Sequence, residues 1–253
     1  MKLTLMVLLI LLTAGCASSA GRVDAQQQNQ VDTKASAKIH TELAAVYYGQ
    51  QQYGIALEEL KYALSMDSKH APAYGVRGLV YMALLEDKKA EEDFERSLDL
   101  DGTDSGTRNN YGWFLCQRGR EKESMEQFMA AVKNPLYATP EKAYLNAGMC
   151  AKRFGKIKEA ETLLKNALSL QPKMTEALLG MAELSFSKAD YAGAKSYFLR
   201  ISRNGVELSA GDLFLAARVE RKLGDKNAEA SYKLQLRKRF PESRETQLML
   251  SGE

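Results

Sequence analysis

Between Ala37 and Glu242 apolar residues return three and four positions apart, the period of an amphipathic helix, and the pattern itself recurs about every 34 residues. Counted from Ala37, the eighth position of each unit is small every time: Ala44, Gly78, Gly112, Gly148, Ala182 and Ala216. A second small residue stands at the twentieth position, as Ala56, Ala90, Ser124, Ala160, Ala194 and Ala228. The twenty-fourth is large and apolar, as Leu60, Phe94, Phe128, Leu164, Phe198 and Tyr232. Two helices approach within about 8–10 Å only where one offers a small side chain to the other's ridge. The pattern therefore predicts two helices per unit, with small residues making a groove that the large ones fill. Pro72, Pro140, Pro172 and Pro241 fall at or near unit junctions, where a missing N–H and a fixed φ end one helix or begin the next. Gly119, Gly155 and Gly224 mark the turn inside a unit, and a two-residue insertion near Asn134–Thr139 breaks the phase.

A helix-pair repeat of this length is that of tetratricopeptide (TPR) units, antiparallel pairs that must stack on neighbours to bury their apolar faces. The fold is expected to be all-α, a TPR solenoid forming a right-handed superhelix of about six helix-turn-helix repeats. Their bounds are residues 37–70, 71–104, 105–140, 141–174, 175–208 and 209–242, with 243–253 as a C-terminal tail. Such a scaffold works through what docks on it.

The N-terminus has a different character. Lys2 precedes an apolar run from Leu3 to Leu12, followed by Thr13-Ala14-Gly15-Cys16. A charged start, a short apolar core and small residues before a cut site read as a secretory signal over residues 1–15, too short to span a bilayer. Small residues directly ahead of a cysteine resemble a bacterial lipobox, in which the peptidase cuts before the cysteine and its thiol takes a diacylglycerol. Here the lipid attachment residue is Cys16. Thr13 stands where that signal usually has Leu, Val or Ile, with Leu12 one place early. Several acyl chains would hold the protein firmly at a membrane, each buried methylene contributing about 0.8 kcal/mol. Ala17 in place of Asp after the cysteine implies, by the same resemblance, the outer membrane. An ordinary cleaved signal with an incidental cysteine would leave a periplasmic protein instead. Residues 16–36, rich in Ser, Gln, Asp and Ala, bury too little surface to offset their ordering entropy and are expected to form a flexible tether.

Composition narrows the functional classes. The 253 residues are 45% hydrophobic and 26% charged, with a net charge of +3 that is too small to argue for nucleic acid. Charge is uneven all the same: Glu86 to Asp104 holds nine acids against three bases, and Arg218 to Arg244 nine bases against four acids. Such runs read first as solvated helix faces and second as a basic end meeting an acidic partner, lipid headgroups or peptidoglycan. The two histidines, His40 and His70, lack metal-ligand spacing, and no zinc-protease, nucleophile-elbow or phosphate-loop motif occurs. No catalytic residue, metal site, cofactor or small-molecule substrate is therefore expected. With Cys16 assigned to lipid, Cys116 and Cys150 remain. An exported protein allows a bridge between them. The insertion, however, sets them at positions 12 and 10 of their units, so buried free thiols are the expectation.

In TPR superhelices positions 2, 5, 9, 12 and 13 of the first helix usually line the concave face. By that resemblance the partner-binding residues here are Tyr48, Leu79, Met82, Asn109, Trp113, Leu145, Met149 and Arg153. An exposed apolar stripe of this kind marks a peptide or helix site. Trp113, the sole tryptophan, suits an interface hot spot and equally a contact between repeats; Met82 and Met149 carry the same double reading. Longer strings add to the pattern. Asn109-Asn110-Tyr111-Gly112-Trp113-Phe114-Leu115-Cys116, followed by Gly119, and Tyr144-Leu145-Asn146-Ala147-Gly148 resemble stretches of the type IV pilus pilotin family PilF/PilW, as does the order of lipobox, polar tether and six repeats. What the resemblance implies is a lipid-anchored protein on the periplasmic face of the outer membrane. It would bind the pilus secretin, the ring-forming channel, and promote its localisation and assembly. A TPR lipoprotein adaptor for another envelope machine, such as peptidoglycan enzymes, shares every feature except the third-repeat wording.

Overall fold

The computed structural model describes residues 17–252, with side chains from residue 31 onward. The signal segment and Cys16 lie outside the described residues. Among those described there are thirteen helices and no strands: α1 (Ala17–Gly49), α2 (Tyr53–Met66), α3 (Ala71–Ala83), α4 (Asp87–Leu100), α5 (Ser105–Gln117), α6 (Glu121–Lys133), α7 (Pro140–Arg153), α8 (Ile157–Leu170), α9 (Thr175–Ser187), α10 (Tyr191–Arg203), α11 (Ala210–Leu223), α12 (Lys226–Arg239) and α13 (Arg244–Leu250). Odd and even helices pair in sequence through α12, and the whole is an all-α TPR fold. The chain forms two compact units, one through Thr107 and the other from Arg108.

Within each repeat the small and large positions meet as the pattern predicts. A Cβ placed on Gly78 would come within 2.9 Å of the Phe94 ring, one on Gly112 within 2.9 Å of Phe128, and one on Gly148 within 2.8 Å of Leu164. Ser124 is the polar exception among the small residues, and its hydroxyl donates to the Gly112 carbonyl at 2.7 Å. Leu60, Phe94, Phe128, Leu164 and Phe198 are all buried. Ala228 and Tyr232 are only half-buried, because among the described residues α12 is followed by the single short helix α13 and not by a further helix pair.

Every repeat turns in the same way. Gln51, Leu85, Gly119, Gly155, Ala189 and Gly224 all occupy the left-handed region, with φ between 60° and 80°. The next amide then closes on the carbonyl five residues back: Gln52 on Tyr47, Glu86 on Tyr81, Arg120 on Leu115, Lys156 on Ala151, Asp190 on Ser185 and Asp225 on Glu220, at 2.9–3.0 Å. These Schellman closures satisfy carbonyls that the helix end would leave open. Glycine adopts the geometry freely, whereas Gln51, Leu85 and Ala189 hold it against a Cβ clash costing about 1–2 kcal/mol.

Three expectations are corrected. The segment read as a flexible tether is helical, since α1 runs unbroken from Ala17 into the first repeat. Ala, Gln and Lys are good helix formers, no proline interrupts them, and the packed end of α1 supplies a nucleus that an isolated peptide would lack. The stretch read as a tail carries α13, capped by Ser243, whose hydroxyl accepts from the Thr246 amide at 3.2 Å, and pinned by a bond from the buried Thr246 hydroxyl to the Phe240 carbonyl at 2.7 Å. Cys116 and Cys150 form a disulfide with Cα atoms 6.0 Å apart, both fully buried. The insertion is absorbed in the loop before α7, where the Tyr137 amide closes on the Asn134 carbonyl. Partners across the α5–α7 contact lie 34 to 37 residues apart, so side chains two positions out of phase still face one another.

Leu85, exposed and left-handed, tests the turn. Leu85→Gly is expected to raise the unfolding free energy by about 1 kcal/mol in urea titrations, the Cβ penalty outweighing glycine's extra chain entropy. The disulfide closes a loop of 34 residues. Cys116→Ser, or reductant added to the native chain, is expected to lower stability by roughly 3–4 kcal/mol, read from the same titrations.

Candidate functional site

The anticipated partner-binding residues fall into both units, and each set is described by itself. In the first unit Tyr48, on α1, is half-buried beside Tyr53, their rings 6.1 Å apart. Burial, and then the neighbouring Tyr53, raise the Tyr48 phenol above its ordinary value. Leu79 and Met82 are half-buried on α3. That helix is fixed against α4 by Arg77, which donates to both oxygens of the nearly buried Asp93 at 2.7 and 2.8 Å while lying 5.2 Å from the Tyr74 ring and 5.9 Å from Tyr81. The Asp93 hydrogen bonds, against the cost of burial, hold the guanidinium still more firmly protonated. α1 is tied to α2 by His40 and Glu59 at 2.6 Å.

An apolar face that the expected positions missed lies on α1. Ile39, Leu43 and Val46 are 57%, 41% and 55% exposed. Their spacing of four and three was the available signal, and it places them on one stripe of the helix. They went unnoticed because the repeat template assigns function to other positions.

In the second unit the candidates divide. Asn109 is buried, and its side-chain oxygen accepts from the Asn146 amide at 3.0 Å, which makes it a strut between neighbouring repeats. Trp113, Leu145 and Met149 are half-buried and pack on the core, Met149 with its sulfur against Gly180. Arg153 is exposed and donates to Gln117 at 3.1 Å. A separate cleft of about 540 Å³ lies between α6 and α8, where Met125 and Met129 are rimmed by Glu121, Lys122, Lys156 and Glu159. Among the described residues no cluster of His, Cys, Asp and Glu could hold a metal ion, and no helix is long and apolar enough to cross a membrane.

Side chains arranged in this way present half-buried apolar and aromatic surface on paired helices, the chemistry of segment recognition. Comparison with known proteins agrees. Models of the tetratricopeptide repeat match residues 71–104 and 153–210. The crystal structure of PilW, a widely conserved type IV pilus biogenesis factor, superposes with a TM-score of 0.78 and 35% identity, covering 85% of this chain and 98% of that one. The chain belongs to the PilF/PilW family. A structure of PilF from Pseudomonas aeruginosa superposes with a TM-score of 0.79 at 25% identity, over 88% of this chain and all of the other. The type IV pilus assembly protein PilF of P. aeruginosa is 26% identical over 97% of this chain and 96% of its own length. This member of the PilF/PilW family is thus a TPR protein of type IV pilus biogenesis, a class that acts through protein contacts.

Structural and available candidates can be separated by substitution. Asn109→Ala leaves the Asn146 amide without its partner and is expected to cost about 1–3 kcal/mol in thermal or urea unfolding. Leu79→Ser and Met82→Ser, at half-exposed sites, are expected to cost less than about 1 kcal/mol while weakening capture of a pilus partner.

Proposed function

We propose that this protein is a pilotin: a lipoprotein anchored through Cys16 to the periplasmic face of the outer membrane, which binds the pilus secretin and promotes its localisation and multimer assembly. The observation that carries the reading is the exposed apolar stripe of Ile39, Leu43 and Val46 on the helix that continues from the lipobox-like N-terminus into the first repeat. Membership of a type IV pilus biogenesis family supplies the setting. Contiguous apolar surface of this kind costs free energy in water and is relieved by an amphipathic helix or an extended apolar segment. Tyr48, Leu79 and Met82 add half-buried surface in the same unit. In this mechanism the first repeats hold a secretin segment that would otherwise drive aggregation, and the lipid on Cys16 provides membrane targeting that the client lacks.

The test is made in cells. Deleting the gene is expected to leave the secretin monomeric or in the inner membrane, and Cys16→Ser to release the protein from the membrane fraction and reproduce much of that defect. Heat-stable secretin multimers at normal abundance in the outer membrane of the deletion strain would overturn the proposal.

A further inference from the structure

The last repeat is the basic end of the chain, and several cations in it and in the helix before it are already matched. Lys195 meets Glu220 at 2.7 Å and Asp225 at 3.2 Å, Arg221 and Lys233 share Glu229, and Arg239 reaches Glu207 at 3.0 Å. Arg218 and Lys222, one turn apart on α11, are exposed and form no ion pair among the described residues. Both border a cleft of about 460 Å³, together with Phe214 and Arg221 of α11 and with Leu248 and Gly252 at α13.

Arg218 is held in place without a counter-charge. Its guanidinium lies 4.8 Å from the centre of the Phe186 ring and 5.7 Å from that of Phe214. Phe186 is itself braced by Tyr191, edge to face at 5.4 Å. Contact with rings leaves the N–H donors at the guanidinium's edge open, and a planar fork fixed in this way suits two-pronged binding of a carboxylate. Lys222 sits four residues further along the same face of the helix and adds a second positive charge. Phe214 and Leu248 supply apolar wall in the same cleft.

We propose that this cleft is a docking site for an acidic peptide segment of a protein partner, one that sets a carboxylate against Arg218 and Lys222 and an apolar side chain against Phe214 and Leu248. Charge complementarity selects the acid, and the surplus of cations around α11 and α12 speeds and orients the encounter. The apolar wall favours a peptide over a bare phosphate or a lipid headgroup, neither of which would use it. The site is independent of the surface on the first repeats, so either can fail without the other.

The purified full chain would be titrated by fluorescence anisotropy with a short labelled peptide of alternating Glu and Leu, with its Lys-for-Glu counterpart and, separately, with phosphatidylglycerol vesicles. Saturable binding of the acidic peptide alone is expected. Arg218→Glu should weaken it roughly tenfold or more, as for a charged hydrogen bond, and Lys222→Glu roughly threefold. Lys158→Glu, an exposed reversal on α8, should leave the affinity unchanged. If Arg218→Glu unfolds the repeat, Lys222→Glu carries the test, with circular dichroism to confirm its fold. Absence of saturable peptide binding, equal losses in the Lys158 and Lys222 variants, or binding confined to vesicles would overturn the proposal.

Discussion

In each of the second, third and fourth repeats a glycine on the first helix lies directly under a ring or branched side chain from the second. Gly112 and Phe128 show how tight the fit is: a single methyl group on the glycine would fall 2.9 Å from the ring and 3.1 Å from the Ser124 carbonyl. Helices at that separation leave no room for water, so polar atoms at the contact must satisfy one another. The Ser124 hydroxyl returns to the Gly112 carbonyl, and the Ser97 hydroxyl to that of Ala71 at 2.8 Å. Residues used in this way are not free for recognition. Function is left to the faces that the helix pairs do not consume, which is why apolar side chains that remain partly exposed are the informative ones.

Much of this was legible in the chain, because packing at short range is a strict filter on residue size. Gly78, Gly112 and Gly148 announce themselves by being small where everything adjacent is large. The turns were legible only in part. Gly119, Gly155 and Gly224 could be read as helix stops, but Gln51, Leu85 and Ala189 take the same left-handed geometry without looking like it. Their conformation is set where the next amide closes on the carbonyl five residues back, which is a property of how the first helix ends and not of one residue's preference.

The site was harder to read for a related reason. A repeat template names positions, yet the second unit slides α7 against α5, so that Cys116 meets Cys150 and Asn109 meets Asn146 across separations differing by three residues. Positional bookkeeping therefore misplaced the cysteines and offered Asn109 as groove surface when it is a buried strut. The apolar stripe on α1 and the cation seated on Phe186 and Phe214 escaped for the opposite reason. Each depends on which faces the neighbouring helices leave uncovered, information that is absent from any single repeat.

The unbroken course of α1 has a consequence of its own. A coil joining an anchor to a folded body sets only a maximum distance, and its length can drift with little effect. A helix of 33 residues sets direction as well. Each residue advances the chain by about 1.5 Å and turns it by about 100°. Removing one residue between Ala17 and Ser36 would barely change the reach, yet it would swing whatever is attached at the N-terminal end about a quarter of a turn round the helix axis. Removing seven would restore nearly the original bearing. Along this segment length is counted in turns, and the stripe of Ile39, Leu43 and Val46 has a compass bearing as well as a position.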